Sequence, residues 1–238
     1  GNFSFQCFCD VMNHLVSRHE VFRTVFHLPE YEDEPVQNIH THMTLDIPLS
    51  IVSETSFQNH VKALGNHVFD LQQGPLLKVY VLKLNDQQHV ILFNIHHIIF
   101  DGWSHRVLLN EIEQLYQEFI NNSKPMLSAL PIQYADYAFW QRKQDLSEHL
   151  QYWMKALRYY DDNILLPYDY PYPAERTWQL GVYHHKFSGK LSEKISQSSR
   201  KHHATIFMTL VTVLAILLHH YTGKSDLCIG TTTAGRDD

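Results

Sequence analysis

The chain of 238 residues is 44% hydrophobic and 18% charged, ample apolar material for the core of one or two domains, and its net charge of -6 without a run of Lys and Arg gives no reason to expect a nucleic-acid partner. Three cysteines, Cys7, Cys9 and Cys228, lack the even count and spacing of a disulfide framework and read as reduced, non-catalytic thiols of a cytoplasmic protein. No basic flank or cleavage pattern marks a signal peptide, and the longest apolar stretch, 206–218, is short of the about 20 residues that span a bilayer.

In chain order, the spacing of Phe5, Phe8, Val11, Met12 and Leu15 predicts a helix over 4–17. A strand over 22–28 follows, then an acidic solvated loop over 29–35. A helix is expected after Ser56, ending before Phe69-Asp70-Leu71 and a turn at Gln73-Gly74-Pro75. Two strands, 76–84 and 89–97, flank a polar turn at 85–88 and make a β-hairpin; the run Val90-Ile91-Leu92-Phe93 suits burial on both faces. Beyond Gly102, the positions of Leu108, Ile112, Leu115 and Phe119 keep helical spacing. Helical segments over 132–142 and 146–158 come next, then a loop of about 25 residues rich in Tyr and Pro, long enough to bridge subdomains. Past it are expected a strand over 179–187, a polar-faced helix over 191–201, a buried helix over 206–218 capped by Thr205 and closed by Gly223, and a strand over 226–229. The division is placed at 1–165 and 166–238.

The candidate chemistry lies between the second hairpin strand and the next helix, at His96-His97-Ile98-Ile99-Phe100-Asp101-Gly102-Trp103-Ser104. A doublet of histidines is weak evidence by itself, since the chain has four among its 18 histidines, at 96–97, 184–185, 202–203 and 219–220. What singles out the first is its place after a strand, with an acid and a glycine at fixed distance and a helix beyond. Neighbouring strand residues point to opposite faces, so His96 and His97 are not expected to line one cavity or chelate one metal unless the backbone bends, and one imidazole is a candidate for chemistry and the other for packing. An imidazole, which ordinarily titrates close to neutral pH, accepts a proton from an attacking amine or orients it. No serine or cysteine nucleophile sits beside it in sequence, which suits direct aminolysis.

The HHxxxDG arrangement resembles the central motif of the condensation domains of nonribosomal peptide synthetases and of the wider superfamily they share with chloramphenicol acetyltransferase. Three further segments match in the family's order: Ser17-Arg18-His19-Glu20-Val21-Phe22-Arg23-Thr24-Val25-Phe26, Tyr134-Ala135-Asp136-Tyr137-Ala138-Phe139-Trp140, and Ile229-Gly230-Thr231-Thr232-Thr233-Ala234-Gly235-Arg236. The resemblance spans essentially the whole chain. It implies an α/β fold of two chloramphenicol acetyltransferase-like lobes in a V, the N-terminal lobe nearly complete and the C-terminal lobe truncated, so the chain is read as a fragment expected to be inactive alone.

By the same resemblance the activity is amide formation between a carrier-bound donor aminoacyl or peptidyl thioester and a carrier-bound acceptor amine. The substrates ride on phosphopantetheine arms of partner carrier domains and the domain itself holds no cofactor and no metal. His97 is the implied catalytic residue and His96 its structural neighbour. Asp101 is implied to be structural, paired with an arginine for which Arg236 is the candidate and Arg23 the reserve. Gly102 keeps the tunnel between lobes open and offers its amide to substrate, with Trp103 and Ser104 beside it; Trp103 is assigned mainly to packing. Tyr134, Asp136 and Trp140 fix a helix and carry no chemistry. Donor and acceptor peptidyl carrier domains and an adjacent adenylation domain are the implied partners, with neither nucleic acid nor membrane. An epimerization domain, a coenzyme A acyltransferase and a non-catalytic recruitment module of the same superfamily are the alternatives. Gly102-Trp103-Ser104, the Leu130–Tyr137 run and the intact motif speak against them in turn, and the pair itself differs from the DxxxxD of heterocyclization domains.

Overall fold

In the computed structural model, which describes residues 2–31, 33–160, 166–171, 173–175, 181–233 and 235, the chain opens with helix α1 (Phe5–Arg18). Ser4 caps it by accepting the Cys7 N–H at 3.4 Å, and its apolar stripe, Phe8, Val11, Met12 and Leu15, is buried as its spacing predicts. The chain leaves α1 through a 3₁₀ turn, Glu20–Arg23, whose Glu20 carbonyl accepts from Thr24 Oγ1 at 2.8 Å. The strand expected over 22–28 is therefore shortened to β1 (Thr24–His27), antiparallel to β2 (Val36–Ile39).

A second sheet has the order β3-β4-β5, with β3 (Leu49–Ile51) parallel and β5 (Gln88–Ile95) antiparallel to the central β4 (Leu77–Asn85). Parallel neighbours need a crossover, supplied here by α2 (Glu54–Gly65), which starts about a turn earlier than expected because Ser53 rather than Ser56 is its cap. The hairpin expected from the sequence is β4-β5. Its burial is not as expected: Leu77, Val79 and Val81 of β4 are inaccessible, whereas the Val90–Phe93 run of β5 is only half-buried. β4 is hydrogen-bonded on both sides and β5 on one, so the central strand takes the core. Helix α3 (Gly102–Ile120) buries Leu108 and Leu115 in the same core as α1 and β4, with Ile112 and Phe119 packed against it. Tyr116 ties the two helices by accepting the Ser4 N–H at 2.7 Å. Helix α4 (Tyr134–Gln141) follows, begun by the Asp136 carboxylate accepting the Gln133 N–H at 2.8 Å. These elements belong to a unit Gly1–Gln144.

Ahead of β4, Gly74 has φ +63°, and a Cβ there would lie 2.9 Å from Val25 Cγ1, a buried side chain of β1. Both the left-handed backbone and the missing Cβ are thus required. Gly74→Ala is expected to destabilise the fold by about 2–4 kcal/mol, the sum of the left-handed penalty and local overpacking. A urea midpoint unchanged from the parent chain would contradict this packing.

The second unit, Asp145–Asp238, contains α5 (Ser147–Ala156), α6 (Gly189–Lys201) and α7 (Ile206–Thr222). The sequence-based boundary at 165 falls at the edge of 161–165, outside the described residues. Helices α6 and α7 are stapled by Ser199 Oγ, which bonds Ile195 O at 2.9 Å and Thr209 Oγ1 at 2.7 Å. Thr205 caps α7 and Gly223, at φ +70°, closes it, both as expected. The helix is not buried: Phe207, Val213 and Ile216 are each more than half exposed. All-round apolarity demands a cover without saying which segment supplies it. The strands expected over 179–187 and 226–229 do not form among the described residues: 179 and 180 lie outside them, while 181–187 and 226–229 run without a ladder, there being no described strand in this unit to pair with. Among the described residues no single helix is long and apolar enough to cross a membrane; α6 and α7 together pass that test only as a pair bent by 101°.

Candidate functional site

Strand β5 ends at Ile95, so both imidazoles lie just beyond it, in a turn rather than on the pleat. His96 is bound into the structure at every polar atom but one. Its N–H donates to Leu76 O at 2.9 Å, prolonging the hairpin pairing by a residue, and its carbonyl accepts the Ile99 N–H at 3.1 Å. Its Nδ1 lies 3.1 Å from the Ile98 nitrogen and accepts that N–H, which leaves the ring proton on Nε2. The Phe69 ring meets the imidazole edge-on, centroids 6.0 Å apart at 85°. Ile99, buried, anchors the far end of the turn. His97, between these fixed points, is exposed, and among the described residues nothing bonds its ring.

The turn feeds directly into α3. Asp101, with extended backbone, caps that helix through Oδ1, which accepts from Ser104 N at 2.7 Å and from Ser104 Oγ at 2.6 Å. Ser104 is thereby occupied as the capping partner. Gly102 is the first helical residue; its φ is not left-handed, and a Cβ on it would meet nothing within 4 Å. Among the described residues, neither packing nor backbone conformation explains a glycine at that point. Trp103 is 61% exposed, so it is not packed as its assignment anticipates.

Arg236 lies outside the described residues. Arg23 is committed elsewhere, its Nη1 donating to His40 O at 2.5 Å and its Nη2 to Ser17 O at 3.4 Å, with Glu20 at 3.7 Å. The segment around it forms a joint that sequence reasoning did not find. Glu111, on α3, takes Arg18 Nε at 3.3 Å and His19 Nε2 at 2.5 Å. Gln133, just before α4, bridges Arg18 O at 3.0 Å and Glu20 N at 3.2 Å with its side-chain amide. A cavity of about 290 Å³ opens beside this joint, lined by His14, Ser17, Arg18, Leu130 and Gln133 and by no residue of the His96–Ser104 motif. Tyr134, Tyr137 and Trp140 form a row along α4, centroids 6.0 and 5.6 Å apart.

Two cysteines lie near the start of α1. Burial, with Asp10 second, pushes both the Cys7 and Cys9 thiols up, which keeps them protonated and weakly nucleophilic. Among the described residues no cluster of His, Cys, Asp and Glu has the arrangement of a metal site.

Comparisons with known proteins agree with one another. A family model described as the condensation domain matches residues 1–238. A linear gramicidin synthase of Brevibacillus parabrevis is 38% identical over 236 residues, covering 94% of this chain and 4% of that protein. Bacitracin synthase 3 of Bacillus licheniformis is 32% identical over 240 residues, covering 99% and 4%. The chain thus spans a small part of the curated relatives it matches. Of solved structures, the X-domain from teicoplanin biosynthesis matches with a TM-score of 0.84 at 22% identity, covering 95% of this chain and 52% of that one. At that identity the structural likeness carries the fold alone.

Proposed function

The chain belongs to the condensation-domain family of nonribosomal peptide synthetases, and from that premise we propose that it joins a carrier-bound donor aminoacyl or peptidyl thioester to a carrier-bound acceptor amine, with His97 handling the amine. The observation that carries this reading is the unequal state of the two imidazoles. His96 is held by the Ile98 N–H and by Phe69, while His97 stands exposed on the turn with a ring that the described residues leave unbonded.

In the reaction the acceptor nitrogen attacks the thioester carbonyl, forming the C–N bond, and the C–S bond breaks. The proton lost by nitrogen passes to the neutral imidazole of His97 and leaves with the departing thiolate. Direct aminolysis is supported at the motif itself, where Ser104, the one hydroxyl residue from His96 to Ser104, is engaged by the Asp101 cap through both its N–H and its hydroxyl. The open space before Gly102 supports its proposed role at the substrate, where any side chain would intrude, and Trp103, exposed beside it, fits that wall. Phosphopantetheine arms of donor and acceptor carrier domains deliver the substrates in this reading, an adenylation domain adjoins, and the domain itself needs no cofactor. Free cysteines fit a cytoplasmic setting.

The test loads donor and acceptor carriers in a synthetase containing this chain and weighs the carrier-bound product by mass spectrometry. A new amide on the acceptor arm is expected. An unchanged mass with an inverted α-centre would make it an epimerization domain, acyl transfer from coenzyme A a free-standing type of acyltransferase, and no change at all a recruitment module; each would overturn the proposal.

A further inference from the structure

The turn that presents His97 is pinned at its ends by His96 N–H to Leu76 O at 2.9 Å and Ile99 N–H to His96 O at 3.1 Å, which leaves the orientation of the peptide between them to be set by something other than the sheet. Its inner bond is Ile98 N–H to His96 Nδ1, 3.1 Å, and that bond forms only while the His96 ring lies in one orientation. The His96 ring meets the edge of Phe69, centroids 6.0 Å apart. Phe69 stands 27 residues earlier in the chain, in the segment joining α2 to β4, and is itself fixed from both directions. On one side, Asn94 of β5 donates from Nδ2 to Leu64 O at 3.1 Å and Gly65 O at 3.4 Å, tying the end of α2 to the strand that leads into the turn. On the other side, Leu71 O accepts the Phe26 N–H at 2.7 Å, and Asp70 Oδ1 accepts the Gln72 and Gln73 N–H groups at 2.8 and 3.3 Å. Phe69 packs against the hydrophobic core between these ties, with His67 edge-on to it at 4.8 Å.

We propose that Phe69 is a positioning residue for His97: its ring holds the His96 imidazole, whose Nδ1 takes the Ile98 N–H and so sets the turn on which His97 is carried. The inference rests on the assignment of amide formation to His97 and deepens it. Phe69 touches no reacting group. Removing it frees the His96 ring to rotate, the Ile98 N–H loses its acceptor, and His97 loses a defined position. A misplacement of about 1 Å at a reacting group costs on the order of 10²-fold in rate, whereas binding of the carriers elsewhere on the surface is untouched.

The role of the His96 ring in this scheme is that of an acceptor two residues ahead of a backbone N–H, which an asparagine side chain also provides. That gives a rescue. In the intact synthetase, Phe69→Ala and His96→Ala are each expected to lower kcat for amide formation by about 10²-fold with KM for the loaded acceptor carrier unchanged, while His96→Asn recovers most of the loss. Hydrogen exchange at the Ile98 amide supplies a readout independent of turnover: about tenfold or more faster in Phe69→Ala and His96→Ala, and restored in His96→Asn. Ile98 exchange unchanged in Phe69→Ala would overturn the proposal whatever the rate. So would a folded His96→Asn as slow as His96→Ala. Full turnover by His97→Ala, by contrast, would sink the assignment of His97 itself, and the exchange data would then still report whether Phe69 shapes the turn.

Discussion

Replacement of His97 by alanine is expected to lower amide formation by about 10²–10⁴-fold, the usual share of a positioned acid–base group, and to leave stability within about 0.5 kcal/mol of the parent. Both halves of this expectation follow from the turn. His97 is exposed and its ring has no bond among the described residues, so truncation removes no packing and orphans no partner. The turn itself is kept by His96 and by the buried Ile99. What disappears is the one imidazole of the motif whose ring nitrogens the described residues leave free. His97→Gln sharpens the result, because an amide side chain still orients an amine by hydrogen bonding yet takes no proton at neutral pH. A rate for His97→Gln as low as for alanine identifies proton transfer as the contribution; recovery to near the parent rate identifies orientation. The measurement is single-turnover formation of dipeptidyl product from preloaded carriers, which separates chemistry from loading. A folded His97→Ala protein turning over at the parent rate would remove His97 from the mechanism.

Much of this site was legible from short-range pattern. Helix α1, the β4-β5 hairpin and α3 each announce themselves through local periodicity, and Thr205 and Gly223 mark the ends of α7 by chemistry that needs no tertiary context. The motif's place at a strand-to-helix junction was legible in the same way. What failed depended on neighbours. β2 and β3 are short and lie at sheet edges, where alternation is too brief to read. The half-burial of Val90–Phe93 reflects which strand is central, and the exposure of α7 reflects what lies against it; neither is encoded in the segment's own composition. The rule that adjacent strand residues face opposite ways separated the two histidines for a reason that does not hold here. Both lie past the strand, and the separation comes from the Ile98 N–H and the Phe69 ring. Phe69, Glu111 and Gln133 were missed because each acts across a long stretch of chain, on a backbone group or a ring that no spacing rule connects to it.

Asp101 offers the other large effect, because two roles meet in one carboxylate. As the cap of a 19-residue helix it accepts from Ser104 N and Ser104 Oγ, and Asp101→Ala is expected to cost about 0.5–2 kcal/mol for that alone. Asparagine is as good a cap as aspartate, so Asp101→Asn keeps the Ser104 N–H satisfied and removes only the charge. Were capping the whole role, the asparagine variant would match the parent in both stability and rate. The pairing with Arg236 that the family resemblance implies gives a different expectation: if the Asp101 charge has such a partner, amide formation falls sharply in Asp101→Asn although the helix cap survives. The decisive comparison is a double-mutant cycle with Arg236→Gln. Paired charges give losses that do not add, with a coupling of about 0.5–3 kcal/mol in stability and a double variant no slower than the worse single one. Additive losses would instead assign the cation to another residue and leave Asp101 as the cap of α3, the element whose first residue, Gly102, faces the open space where the substrate is proposed to lie.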